Sequence, residues 1–140
     1  IGKIAMPDGL LSKPAPLEAQ DWTMMREHAL IGERIVSLAP ALAATARLIR
    51  STHEWVDGTG YPDGLAGDEI PLGSRVIAVC DAFNAMTGER PYRLALPAGL
   101  AAEELRQAAG TQFDSEIVEC FIALIAPTLA TGESTANTAA

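Results

Sequence analysis

Apolar positions recur every three or four residues along most of this chain, and no stretch sustains the two-residue alternation of a half-buried strand. The pattern predicts an all-α fold. Residues 1–16 read as irregular, because Pro7, Gly9, Pro14 and Pro16 interrupt any long helix. A helix is expected over 17–38, with Glu18 and Asp21 near its positive end and Met24, His28, Ile31, Ile35 and Leu38 forming one buried stripe. Pro40 separates it from a helix over 41–54 that places Leu42, Ala46, Ile49 and His53 on one face. A glycine-rich loop runs on to about residue 72. A helix over 74–86 follows, and its apolar run Val76-Ile77-Ala78-Val79-Cys80 predicts a central position. After a loop over 87–96, two more helices are expected at 98–109 and 114–126, the last capped by Asp114 and stopped by Pro127. Residues 1–126 then form the domain, and 127–140 a tail whose small, polar composition predicts disorder from Thr131 onward.

Composition narrows the function. The 140 residues suffice for one domain with a real core, and 49% hydrophobic with only 5% aromatic residues favours helix. A formal net charge of -8 argues against coating DNA or RNA, although local cations or a metal can still hold a small anion. Cys80 and Cys120 form no CxxC or Cys/His cluster and are expected to be reduced core residues. The sequence holds neither an 18-residue apolar run nor a leader, which predicts a cytoplasmic, membrane-free segment.

The segment His53-Glu54-Trp55-Val56-Asp57-Gly58-Thr59-Gly60-Tyr61-Pro62-Asp63-Gly64 changes the picture most. Glycine is costly in conformational entropy, so Gly58, Gly60, Gly64 and Gly67 point to a required loop shape, and hence a site. His28, His53 and Asp81 each lie on or beside the apolar face of a predicted helix. Each alone also suits a satisfied core or helix-end group; together, two imidazoles and a carboxylate suit a shared Fe, Mn, Zn or Ni ion. Glu54 could orient the neighbouring imidazole or stand solvated at a helix end. Trp55 could pack on the loop or stack on a base, packing being the expected role. Arg90 and Arg93 could form a phosphate fork or be ordinary surface charge, and Lys3 could reach a phosphate.

Taken together, these stretches resemble the HD-GYP family of metal-dependent phosphohydrolases. The matching stretches are Ile1-Gly2-Lys3-Ile4, Arg26-Glu27-His28 with Ile31-Gly32, and the 53–62 run ending in Gly60-Tyr61-Pro62. Ile70-Pro71-Leu72-Gly73, Asp81-Ala82-Phe83, Arg90-Pro91-Tyr92-Arg93 and Gly110-Thr111-Gln112-Phe113-Asp114 continue in family order, so that the likeness covers about residues 1–126. The resemblance implies an HD-type helical bundle that holds divalent Fe or Mn and hydrolyses cyclic di-GMP, or a related cyclic dinucleotide, to pGpG or GMP. By position, His28, His53 and Asp81 would bind metal, Lys3 would be catalytic, and Tyr61, Arg90 and Arg93 would contact the substrate.

Two departures accompany the resemblance. The His-Asp pair that precedes Gly-Lys in the family would fall before Ile1, as would the N-terminal helices. Thr52 stands where the first of two adjacent histidines is expected. The expectation is therefore a C-terminal part of the domain with an incomplete site, binding one metal weakly or none. Its expected partners are a cyclic dinucleotide, a diguanylate cyclase (GGDEF) domain, an upstream sensor or receiver domain and, through an uncovered apolar face, a second copy of the chain. The competing expectations are an inactive signalling or interaction module that binds the dinucleotide or a cyclase without cleavage, and a purely structural helical domain.

Overall fold

The computed structural model describes residues 1–13, 15–88 and 94–132, with side chains to residue 127. Among them are six α-helices: α1 (Asp8–Leu11), α2 (Ala19–Ser37), α3 (Ala43–Arg50), α4 (Leu72–Thr87), α5 (Ala98–Gln107) and α6 (Ser115–Gly132). Short 3-10 turns occupy Gly2–Ala5, Pro40–Leu42 and Gly67–Glu69, and no β-strand occurs among the described residues. The all-α expectation holds. The chain divides into two compact units, Ile1–Arg75 and Val76–Ala140.

In the first unit α2 packs on α3 and on the Gly2–Ala5 turn. The start of α2 is fixed locally: the Asp21 carboxylate accepts the Glu18 backbone N–H at 2.9 Å and a hydrogen bond from Lys13 Nζ at 2.5 Å. A carboxylate at this position satisfies a helix-end donor and complements the helix dipole. The surface that α2 buries consists of His28, Ala29 and Gly32. This corrects the expected stripe, because Met24 is 45% exposed, Ile35 is also exposed and Leu38 is 86% exposed. The reason is close approach: a Cβ on Gly2 would lie 1.8 Å from the His28 carbonyl oxygen, so the turn rests directly on the α2 backbone. Only small side chains fit a helix surface approached that closely.

α3 ends at Arg50, four residues before the predicted end, so His53 stands in the turn that follows and not on the helix. Leu42, expected to be inward-facing, is exposed, whereas Ala46 is buried. Buried Ser74, at the start of α4, donates its hydroxyl to the Leu48 carbonyl at 2.9 Å.

The core of the second unit is Val79 from α4, Ala102 and Leu105 from α5, Phe113, and Val118 and Ile122 from α6. Phe83 and Phe121 meet edge to face with centroids 5.1 Å apart. Asp114 caps α6 as expected, its Oδ1 accepting the N–H groups of Glu116 at 2.9 Å and Ile117 at 3.2 Å. The rest of the pattern needs correction. Of the apolar run in α4 only Val79 is fully buried; Val76, Ile77 and Cys80 are exposed. Cys80 and Cys120 are both exposed free thiols, not core residues, because they line an open apolar groove of about 360 Å³ between α4 and α6. Pro127 does not stop α6, which continues to Gly132. A proline removes its own N–H and crowds the preceding turn, and neither effect bars later residues from helical conformation. Residues 133–140 of the expected tail lie outside the described residues.

Leu105 is fully buried at the centre of this second core. Leu105→Ala is expected to lower stability by about 2–5 kcal/mol, through lost transfer energy plus the residual cavity. The shift in urea-denaturation midpoint measures this; a loss below about 1 kcal/mol would show that the site collapses or is not core.

Candidate metal and nucleotide site

Three rings from two distant stretches meet in the first unit. His28 on α2 and His53 after α3 face each other with Nε2 atoms 2.9 Å apart and ring planes at 66°. Tyr61 stacks on His53 at 5.1 Å between centroids and 16° between planes. His28 Nδ1 lies 2.5 Å from the Met25 carbonyl oxygen. A carbonyl only accepts, so Nδ1 carries the proton and the Nε2 of neutral His28 presents a lone pair towards His53. Burial holds the His28 pKa below the ordinary imidazole value, the Met25 carbonyl opposes this, and the Lys3 charge adds to the lowering. His28 is therefore neutral at pH 7, the form that ligates metals. Burial raises the Tyr61 phenol pKa, against a smaller opposite effect of Arg26, so its O–H remains a donor.

The loop that presents His53 and Tyr61 is built around Glu54. Its carboxylate is 3% exposed and accepts the backbone N–H groups of Asp63 at 2.7 Å and Leu65 at 3.0 Å. Neither expected role of Glu54 is correct: it is not solvated, and its described partners are backbone amides rather than an imidazole. The Tyr61 N–H donates to the His53 carbonyl at 3.0 Å, and Asp57 Oδ1 accepts both the N–H and hydroxyl of Thr59. Gly60 admits no side chain, since its Cβ would come within 2.2 Å of the Trp55 nitrogen. Gly58, Gly64 and Gly67 take positive φ, which fulfils the expectation of a shape that glycine makes accessible. Trp55 itself is partly exposed at the loop surface.

A second clasp closes the loop from outside. Arg50 donates to both Asp63 oxygens, each at 2.6 Å, and to Glu33 Oε2 at 2.6 Å, tying α2, α3 and the loop together. The charge-assisted fork lowers the Asp63 pKa and raises that of Arg50. Sequence reasoning missed this clasp, because residues 33, 50 and 63 share no periodicity. It also missed the arginine two positions before His28: Arg26 Cζ lies 5.4 Å from the centre of the Tyr61 ring. Thr52 donates its hydroxyl to the Ile49 carbonyl at 3.0 Å, closing the end of α3.

The other expected site residues are placed as follows. Lys3 is exposed on the Gly2–Ala5 turn, and its charge is felt at His28. Asp81 belongs to the second unit and is exposed on α4. Arg90 and Arg93 lie outside the described residues.

Residues 1–117 match the HD domain family. The chain belongs to that family. Its relatives and its 53–62 motif mark it as an HD-GYP-type HD domain. It is 40% identical over 126 residues to a cyclic di-GMP phosphodiesterase of Thermotoga maritima, covering 89% of this chain and 34% of the relative. It is 39% identical over 124 residues to the 3'3'-cGAMP-specific phosphodiesterase 3 of Vibrio cholerae, covering 89% of this chain and 26% of the relative. A crystal structure of a cyclic GMP-AMP-specific phosphodiesterase from Vibrio cholerae superposes with a TM-score of 0.62 at 25% identity, over 82% of this chain and 27% of that one. The chain thus spans about a third or less of the length of these relatives. No helix among the described residues is long and apolar enough to cross a membrane.

Family membership implies a divalent metal. The paired histidines fit two positions on one such ion: neighbouring donors at about 2.1 Å in octahedral geometry stand about 3 Å apart, and the two Nε2 atoms are 2.9 Å apart. Among the described residues no group of three or more His, Cys, Asp or Glu side chains is gathered closely enough to hold a metal.

Two predictions follow from the loop. Glu54→Gln puts an amide donor against one of two backbone donors, so it should cost about 1–3 kcal/mol in denaturant unfolding. The Asp63 and Leu65 amides should then exchange faster with solvent; an unchanged midpoint and unchanged exchange would remove Glu54 as the loop anchor. The second concerns pH. A carboxyl whose folded pKa is depressed adds stability that is fully present above its unfolded pKa, about 3.9, and is lost as pH falls through the folded value. Wild-type stability should therefore fall more steeply on acidification below about pH 5 than that of Asp63→Asn, in urea midpoints measured against pH. Parallel curves would contradict the clasp.

Proposed function

We propose that this chain carries the core of a metal-dependent cyclic dinucleotide phosphodiesterase site, acting on cyclic di-GMP or a relative such as 3'3'-cGAMP to give pGpG or GMP. The observation that carries this reading is the facing pair His28 and His53, with the Tyr61 phenol stacked beside it. The names of the relatives supply the substrate class. His28 and His53 hold the metal, and iron or manganese is the proposed ion, since imidazole suits either. When bound, the cation supplies Lewis acidity towards phosphoryl oxygens and a more acidic water.

The remaining roles belong to the chain. The Met25 carbonyl keeps His28 in the tautomer that offers Nε2. Tyr61, protonated at neutral pH, donates to a phosphoryl oxygen. Lys3 brings positive charge to the scissile phosphate, stabilising the charge that develops there. Arg90 and Arg93 grip the nucleotide from the segment outside the described residues. In its cellular setting the domain answers to an upstream sensor or receiver and pairs with a diguanylate cyclase, in the cytoplasm.

A second reading has one observation in its favour. The hydroxyl of Thr52 is bonded to Ile49, leaving the expected second imidazole without a substitute. On that reading the module binds a cyclic dinucleotide or a cyclase and does not cleave.

The test loads the protein with Fe(II) or Mn(II) under exclusion of oxygen and follows cyclic di-GMP and 3'3'-cGAMP by chromatography. Slow turnover is expected, with His28→Ala and His53→Ala each lowering both bound metal and rate at least about 10-fold. Binding without turnover under every metal would favour the second reading. Full metal retention in both histidine variants would remove the pair as ligands.

A further inference from the structure

We propose that Arg26 is a substrate-binding residue, a guanidinium held on the Tyr61 ring to receive a phosphodiester oxygen of the dinucleotide. This rests on the phosphodiesterase reading and adds a contact to those expected of Lys3, Tyr61, Arg90 and Arg93.

A continuous series of contacts links Arg26 to the histidine pair: its Cζ is 5.4 Å from the Tyr61 centroid, Tyr61 stacks on His53 at 5.1 Å, and His53 faces His28 at 2.9 Å. Three other cations of this unit are committed to carboxylates. Lys13 pairs with Asp21 and Glu18, Arg50 with Asp63 and Glu33, and Arg75 with Asp68. Arg26, by contrast, is exposed and makes no ion pair or hydrogen bond among the described residues. Its N–H donors are open to a ligand.

The position suits an anion for three physical reasons. The chain carries a net charge of -8, so a doubly charged dinucleotide approaches against the overall field and needs local cations at the site. A guanidinium resting on an aromatic face keeps donors for a phosphate, which its planar fork matches better than a lysine ammonium does. The cation–π contact also restrains a long side chain in advance, which reduces the ordering cost on binding. With Lys3 acting from the Gly2–Ala5 turn, the histidine–tyrosine group is then flanked by cations from two separate stretches.

The test is calorimetric titration of the metal-loaded protein with the bis-phosphorothioate of cyclic di-GMP, which resists turnover, at two salt concentrations. Arg26→Gln is expected to bind about 10-fold more weakly, as for loss of a charge-assisted hydrogen bond. The slope of log affinity against log salt should become shallower by about one. Arg26→Lys should keep the slope and recover part of the affinity. The thermal midpoint should not change, since the residue is exposed. Equal affinity and slope for wild type and Arg26→Gln would overturn the assignment and leave the phosphodiesterase reading standing. Weaker binding with an unchanged slope would also overturn it, because that marks a disturbed Tyr61 rather than a lost ionic contact. No binding of any cyclic dinucleotide by the wild type would overturn both.

Discussion

The site depends on one buried carboxylate. Glu54 is almost wholly withdrawn from water, and both its oxygens accept backbone N–H groups from the far side of the glycine loop, nine and eleven residues on. Burying a charge is costly unless hydrogen bonds replace its hydration, so the loop must fold back over Glu54 to satisfy it. That closure brings the Tyr61 N–H to the His53 carbonyl and lays the phenol ring along the imidazole. The neighbouring backbone passes so close that position 60 must be glycine. Arg50 then grips Asp63 from outside and fastens the same loop to α2 and α3.

From this constraint the chemistry follows in order. α2 brings His28 up to the loop, with its tautomer set by a carbonyl of its own helix. The Gly2–Ala5 turn can press onto α2 only because Gly2 has no side chain, and it carries Lys3 into electrostatic range of His28. Two facing imidazoles, one protonated phenol and nearby cations are surroundings that suit a metal-assisted attack on a phosphodiester. What the first unit brings together is two imidazoles. Thr52, with its hydroxyl turned back to Ile49, adds no donor beside them.

Much of this was legible in the residues and some was not. The all-helical class, the Asp114 cap and the special shape of the glycine loop were each visible in short-range patterns. So was the pairing of His28 with the loop histidine, once the family motif was recognised. Periodicity failed where backbones pack closely: α2 buries Ala29 and Gly32 and leaves Met24 and Leu38 in solvent, an inversion that apolar spacing cannot reveal. It failed again at Cys80 and Cys120, whose apolar surroundings in sequence became the wall of an open groove. Glu54 and Arg50 were misread or missed because their partners lie nine to seventeen residues away, at no helical interval.

The central claim is that His28 and His53 hold a divalent metal beside Tyr61. Anomalous diffraction at the manganese edge, from crystals of the protein grown with Mn(II), tests it most directly. The account predicts a peak about 2 Å from both Nε2 atoms, with the Met25 contact to His28 intact. Strong manganese peaks elsewhere, with the two imidazoles still hydrogen-bonded to each other, would contradict it.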